Sequence, residues 1–365
     1  MSRSRFGGRA RIAAAAVAAV AFVVFPGRDA ELLAQQDCYD RATMPQTSVV
    51  DSHLHFRPFG GAAVPFDEVT RYLQKSGVRY ASVYGIGQML PLDSGCTYYL
   101  DCPGTPVTPT MKNDFANGLD YAAADPRTKK DLALSMTFMD LTKPETIPPG
   151  IQLYDREFPG MFRWAGEVNL VKQALFPNHQ QAATPANIRD WAPFMRVLRE
   201  RNIPITIHSD LGNDAEPTKY LNLFEEVLHR YPHNKIIWAH MGLSKELATL
   251  DPDTHMQLVG RLLDRSPNLT LDLSWRVLED LYFSKPGVRE KYAKFFDRYP
   301  TRAITGTDFV ASANKTYDIY ATELEVTSRI NKHLGNEAFR RIALGQNYFD
   351  LLHVPDRAPQ VCGAV

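Results

Sequence analysis

Five side chains in this sequence have the types and the spacing to hold a divalent cation. The run Val49-Val50-Asp51-Ser52-His53-Leu54-His55 ends in an H-x-H pair. On an extended strand, residues two apart share a face. His53 and His55 would then offer two imidazoles to one ion, at about 2.0–2.1 Å per bond. An H-x-H triplet alone is weak, because a single strand-end histidine is more often structural. Its weight grows because three later apolar runs finish on groups of the same kind: 203–208 on His208, 235–240 on His240 and 303–308 on Asp308. Four imidazoles and one carboxylate make a nitrogen-rich donor set suited to zinc, with manganese, iron or cobalt as alternatives. One or two such ions would acidify water near neutral pH, so attack by an activated water is the chemistry to expect.

These residues need elements that deliver them to one place. Short apolar runs at 48–55, 80–86, 132–139, 164–171, 204–208, 235–240, 269–273 and 302–307 read as strands buried on both faces. Helical periodicity falls between them, at 66–75, 187–201, 217–231, 288–298, 317–333 and 336–352, with Pro217 placed for a first helical turn. Strands alternating with helices predict βαβ units and an α/β fold. Eight units close as a TIM-like (β/α)8 barrel, whose catalytic groups sit at the C-terminal rim of the strands. All five candidate ligands stand at that end of their runs. An open doubly wound sheet is the runner-up, weakened because no Gly-rich phosphate loop follows the first strand. The segments 87–110 and 141–162, rich in Pro and Gly, are expected as long rim loops that set specificity.

The ordered set of H-x-H on strand 1, histidines on strands 5 and 6, and aspartate on strand 8 resembles the amidohydrolase superfamily. It is most similar to the amidohydrolase-related branch of metal-dependent hydrolases and some decarboxylases, over roughly 48–352. The resemblance implies that His53, His55 and His208 are metal ligands. It implies that Asp308 completes the shell and carries a proton from the activated water to the leaving group. His240 would bind a second ion or polarise the substrate carbonyl. Strand 4 sets the ion count, since binuclear members place a carboxylated lysine or a glutamate there. Glu167 is the candidate bridging ligand, the alternative being a buried carboxylate that orients a histidine. Lys172 lies just beyond and would contact an anionic substrate; without either ligand the site would be mononuclear.

Arg57, close behind the H-x-H, and Arg276, beside Trp275 after strand 7, are candidates to clamp a substrate carboxylate bidentately, against the plainer reading of surface ion pairs. Asp210 is a candidate support for His208, and Tyr317 either faces the pocket or packs a helix. His179, His229, His233, His255, His333 and His353 read as structural or exposed. No G-x-S-x-G elbow is present, which disfavours serine hydrolysis.

The chain has 365 residues, 44% hydrophobic and 22% charged, with 41 basic and 41 acidic side chains. Such a balance predicts no nucleic-acid partner. Arg3, Arg5, Arg9 and Arg11 precede an apolar run, 12–25, that is short for a membrane span of roughly 20 residues. We read 1–34 as an export signal cut before Gln35. That leaves a single domain, 35–365, secreted or periplasmic, with no stable membrane insertion and with homo-oligomerisation open. Four cysteines suit that compartment, and pairings 38–362 and 96–102 are preferred. Three functions follow: a hydrolase of an amide, lactone or ester bond in a small molecule; a decarboxylase of a small carboxylic acid on the same metal shell; and a non-catalytic binding protein, which the complete ligand set opposes.

Overall fold

Short runs of Val, Ile, Leu and Ala become the strands of one parallel sheet. In the computed structural model these are β1 Val50–His55, β2 Tyr80–Tyr84, β3 Leu132–Met136, β4 Phe162–Val171 and β5 Ile205–Ser209, then β6 Ile236–Trp238, β7 Leu269–Asp272, β8 Ala303–Ile304 and β9 Phe309–Val310. The structure describes residues 38–43 and 48–363; the expected export signal lies outside them. Among the described residues no helix is long and apolar enough to cross a membrane.

The spatial order is β8-β7-β6-β5-β4-β3-β2-β1-β9, and every neighbouring pair is parallel. β8 and β9 are two halves of one passage of chain, so the sheet returns on itself. Ser52 N donates to Thr305 O at 3.0 Å and Asp308 N to His53 O at 2.8 Å. This is the expected barrel, with helices packed outside it. Helix Phe66–Lys75, for example, turns Phe66, Val69, Tyr72 and Leu73 inward at helical spacing. Within the barrel, Trp164 Nε1 donates to Thr206 Oγ1 at 2.9 Å, and the Tyr84 hydroxyl pairs with the same oxygen at 2.9 Å. Buried indole and phenol groups thus keep their hydrogen bonds.

The structure departs from the periodicity where one residue overrides it. The run 187–201 is two helices, Pro185–Asp190 and Ala192–Glu200, because the second restarts with a proline in its first turn. The run 217–231 yields only Leu221–Arg230. Pro217 lies outside it, because Asn213 Oδ1 accepts from Ala215 N and Glu216 N and holds a turn there. The run 336–352 breaks at Gly345, whose φ is 88° and whose Cβ position lies 2.4 Å from Val50 Cγ2. The segment 141–162, expected as a rim loop, contains helix Ile147–Glu157, which buries Ile147, Ile151 and Tyr154. Its prolines occupy the first turn, where no intrahelical N–H is lost.

The segment 87–110 is a true excursion. It is closed at its foot by a two-residue antiparallel ladder, Gln88–Met89 with Thr108–Pro109. It carries the Cys96–Cys102 disulfide, as expected. Cys38 and Cys362 are also disulfide-bonded, and no cysteine is free.

Candidate metal centre

Alternation along β1 does bring the H-x-H imidazoles together, with their Nε2 atoms 3.3 Å apart. The far nitrogen of each ring is tied down. His55 Nδ1 donates to Gly85 O at 2.6 Å, and His53 Nδ1 meets Asp272 Oδ2 at 2.7 Å. A carbonyl only accepts, so the neutral His55 ring turns its Nε2 lone pair inward. Asp308 Oδ1 lies 3.2 Å from His55 Nε2 and 3.5 Å from His53 Nε2. Glu167 Oε2 lies 3.6 and 3.8 Å from the same two atoms.

His208, near the end of β5, is held between two carboxylates. Its Nε2 meets Asp210 Oδ1 at 2.9 Å, and its Nδ1 faces Glu167 Oε1. His240 is reached differently from expectation. β6 stops at Trp238, and His240 stands on the following turn with φ 53°. That turn aims Nε2 at Glu167 Oε1 (3.9 Å) and Asp308 Oδ2 (4.0 Å), while Nδ1 donates to Ser274 O at 3.2 Å. Asp308 also has positive φ, 57°, in the gap between β8 and β9. Such backbone conformations are sparsely populated for residues with a Cβ and collect at functional sites.

Three donor groups result, each with atoms within 4.8 Å of one another: His53, His55, Glu167 and Asp308; Glu167, His208 and His240; and His53, His240 and Asp272. The first two share Glu167. All six expected ligands therefore converge.

The electrostatics fit a cation. Burial opposes protonation of His53, yet Asp272, Glu167 and Asp308 outweigh it and hold the imidazole well above its usual pKa. His55 is raised against burial by Asp308 and Glu167. His208 is raised against burial and Lys172 by Glu167 and Asp210. Burial would push Glu167 up, but Lys172 and His208 hold it well below the carboxylate range. Asp308 is lowered against burial by His55, His240 and His53. His240 alone is pushed down, to about 4, by burial. Thus Glu167, Asp308 and Asp210 act on the buried Lys172 ammonium while Asp272 faces His53, and protons on imidazoles make up the missing positive charge. A divalent ion would displace those protons and supply the same compensation.

Asp272 and Ser274 were not singled out by the sequence reading. Ser274 Oγ donates to Asp272 Oδ2 at 2.7 Å and touches the Nδ1 atoms of both His53 and His240 at 3.1 Å. The signal was present: a carboxylate at the end of β7, in the same rim position as the histidines. Asp272→Asn is expected to weaken metal affinity about 10–100-fold, read by competition with a chromogenic chelator. Unchanged affinity would show that Asp272 does not orient His53.

A cavity of about 750 Å³ opens above these groups, a size that suits a small molecule. His55, His208, His240 and Asp308 form part of its lining, together with Phe59, Tyr98 and Trp275. The three candidate substrate cations fare differently. Lys172 lines the cavity but is ion-paired to both oxygens of Glu167, at 3.0 and 3.2 Å. Arg276 also lines it and pairs with Asp280 at 2.7 Å and Glu323 at 3.8 Å. Arg57 pairs with Asp120 and Asn117 instead and is not among the cavity's lining residues. Tyr317 packs on Tyr72 and Lys75 rather than facing the pocket.

Among solved structures, an amidohydrolase from Burkholderia multivorans with bound zinc matches with a TM-score of 0.52 at 15% identity, covering 84% of this chain and 99% of that one. A 5-methylcytosine deaminase from Klebsiella pneumoniae, liganded with phosphonocytosine, matches with a TM-score of 0.50 at 13% identity, covering 87% and 78%. At such identities the likeness speaks to the fold alone. No curated protein matches. The amidohydrolase family model matches residues 50–325, which span β1 to helix Tyr317–Thr327 and hold every candidate ligand. On that match, the chain belongs to the amidohydrolase family.

Proposed function

We propose that this enzyme is an exported, single-domain hydrolase that cleaves an amide, lactone or ester bond of a small molecule. The observation that carries this is the convergence of four imidazoles and two carboxylates at the base of a cavity of about 750 Å³. His53, His55, Glu167 and Asp308 would hold one divalent ion, for which the nitrogen-rich donor set suits zinc, and His208 with His240 would extend the site to a second ion across the shared Glu167. When bound, the ion supplies Lewis acidity that polarises an acyl oxygen and acidifies water.

The protein's own groups divide the remaining work. Asp308 stays ionised at neutral pH and has its two oxygens turned towards different imidazoles, Oδ1 to His55 and Oδ2 to His240. It is therefore placed to ligate and to hold a proton for the leaving group. His240 gives its Nδ1–H to Ser274 O and is neutral at pH 7. Its Nε2 is thus an acceptor, which favours metal ligation over polarising a carbonyl by donation. Lys172 neutralises Glu167 and keeps it a carboxylate.

Capture of a substrate carboxylate by Arg57 or Arg276 would favour the decarboxylase reading. Both already have carboxylate partners, which supports hydrolysis. The disulfide-bonded state of the four cysteines supports an oxidising compartment. The test is a screen of the zinc-reconstituted protein against amides, lactones, esters and carboxylic acids, with products identified by mass. Gain of one water is expected; release of carbon dioxide without hydrolysis would overturn the reading.

A further inference from the structure

One wall of the cavity comes from the excursion between β2 and β3. The Cys96–Cys102 disulfide closes a tight loop there, and Thr97, Tyr98, Tyr99 and Asp101 from it line the cavity. The loop is anchored on both sides. Buried Asn178, beyond β4, donates through Nδ2 to Cys102 O at 2.8 Å and Thr105 O at 2.9 Å. Tyr99 is buried against Phe59, with ring centroids 4.7 Å apart. The chain just after the H-x-H lies so close that a Cβ on Gly60 would sit 2.3 Å from Cys96 O. The loop is thus pinned to the segments that follow β1 and β4, the strands that carry His53, His55 and Glu167.

Tyr98 differs from its neighbour. Its ring leans on Tyr99 at 4.7 Å, yet the residue keeps 37% of its surface exposed. Its phenol lies within the electrostatic reach of Tyr99, Asp308 and Lys172. An aromatic side chain with a polar tip, left partly bare in a cavity that His55, His240 and Asp308 also line, is suited to hold a small planar substrate. The Cys96–Cys102 link removes the freedom such a short loop would otherwise have.

We propose that Tyr98 is a specificity-determining residue that stacks on the planar body of the substrate and donates its hydroxyl to a polar group beside the reacting bond, held in place by the Cys96–Cys102 disulfide. This rests on the metal-site reading above. The substrates it selects are small acyl compounds with a flat aromatic or cyclic body.

The test uses the cobalt-loaded protein, titrated with benzohydroxamate and acetohydroxamate and followed by the cobalt visible bands. Wild type is expected to prefer benzohydroxamate. Tyr98→Phe should weaken both probes about fivefold to tenfold, the worth of one hydrogen bond, with cobalt content unchanged. Tyr98→Ala should also abolish the preference for the aromatic probe. The paired substitution Cys96→Ser with Cys102→Ser should act like Tyr98→Ala, and should add nothing in the Tyr98→Ala background. Tyr98→Phe affinities within twofold of wild type, or an unchanged preference in Tyr98→Ala or the cysteine variant, would overturn the proposal while leaving the metal site intact. Failure to take up cobalt would instead sink the metal-site reading and this proposal with it.

Discussion

Asp308→Ala is expected to lower kcat/KM by about four orders of magnitude, on whichever acyl substrate the product screen identifies. Two losses combine. A positioned acid–base group contributes about 10²–10⁴, and removing a ligand loosens the ion that activates water. Asp308 Oδ1 is 3.2 Å from His55 Nε2 and Oδ2 is turned to His240, so no neighbouring group can replace both functions. The variant should unfold cooperatively, since the Asp308 backbone N–H, which bonds His53 O and helps close the barrel, survives the change. His208→Ala should give a comparable fall, because it also leaves Asp210 and Glu167 facing a void. Steady-state kinetics, metal analysis and thermal unfolding on the same preparations check this. Either variant keeping more than about a tenth of wild-type activity would remove the assigned roles.

Stripping the ion with a chelator is expected to make stability fall with rising pH above about 6.5, where the loaded protein should show no such fall. Folded and metal-free, His53, His55 and His208 hold protons more tightly than in the unfolded chain, because Asp272, Glu167, Asp308 and Asp210 outweigh burial and, for His208, Lys172. Their stabilisation is complete below the unfolded histidine value of about 6.5 and is lost as pH rises through the higher folded values. Glu167, Asp272 and Asp308 are depressed. Their share is complete above the unfolded value of about 4 and is lost as pH falls through the folded ones. Through these groups the apoprotein should weaken from about pH 6.5 towards pH 9, while buried His240 and His255, pushed down to about 4, cost stability as pH falls below about 6.5.

The loaded protein should instead hold level over the upper range, because binding regains with pH what the apoprotein loses. Its imidazoles must shed protons to ligate, so each displaced proton adds about a tenfold gain in apparent affinity per pH unit. With free ion at about a thousand times Kd, binding adds roughly 4 kcal/mol. Thermal unfolding of apo and zinc-loaded protein at about pH 6, 7 and 8 reads this difference directly. Parallel curves would mean that no protons are exchanged for metal.

Several of these features were legible before any coordinates. The eight strand runs, the shared face of His53 and His55, and the rim positions of His208 and Asp308 all follow from alternation and from where apolar runs end. Helices 66–75 and 288–298 have the expected limits, because their apolar stripe is uninterrupted and no proline or left-handed glycine intervenes. The 141–162 segment was misread because its prolines resemble a loop signal. Only burial of Ile147, Ile151 and Tyr154 shows that they open a helix.

By itself, the order of apolar runs and their polar last residues determined the barrel class and most of the donor set, because both depend on periods of two and 3.6 along the chain. Tertiary structure alone decided which charges are already compensated, as with Arg57 on Asp120 and Lys172 on Glu167. It also decided that Asp272 reaches back 219 residues to His53, and that the disulfide loop carries Tyr98 to the cavity. Those outcomes hinge on distances between groups far apart in the chain, and Coulomb and hydrogen-bond energies respond to separation in space rather than in sequence.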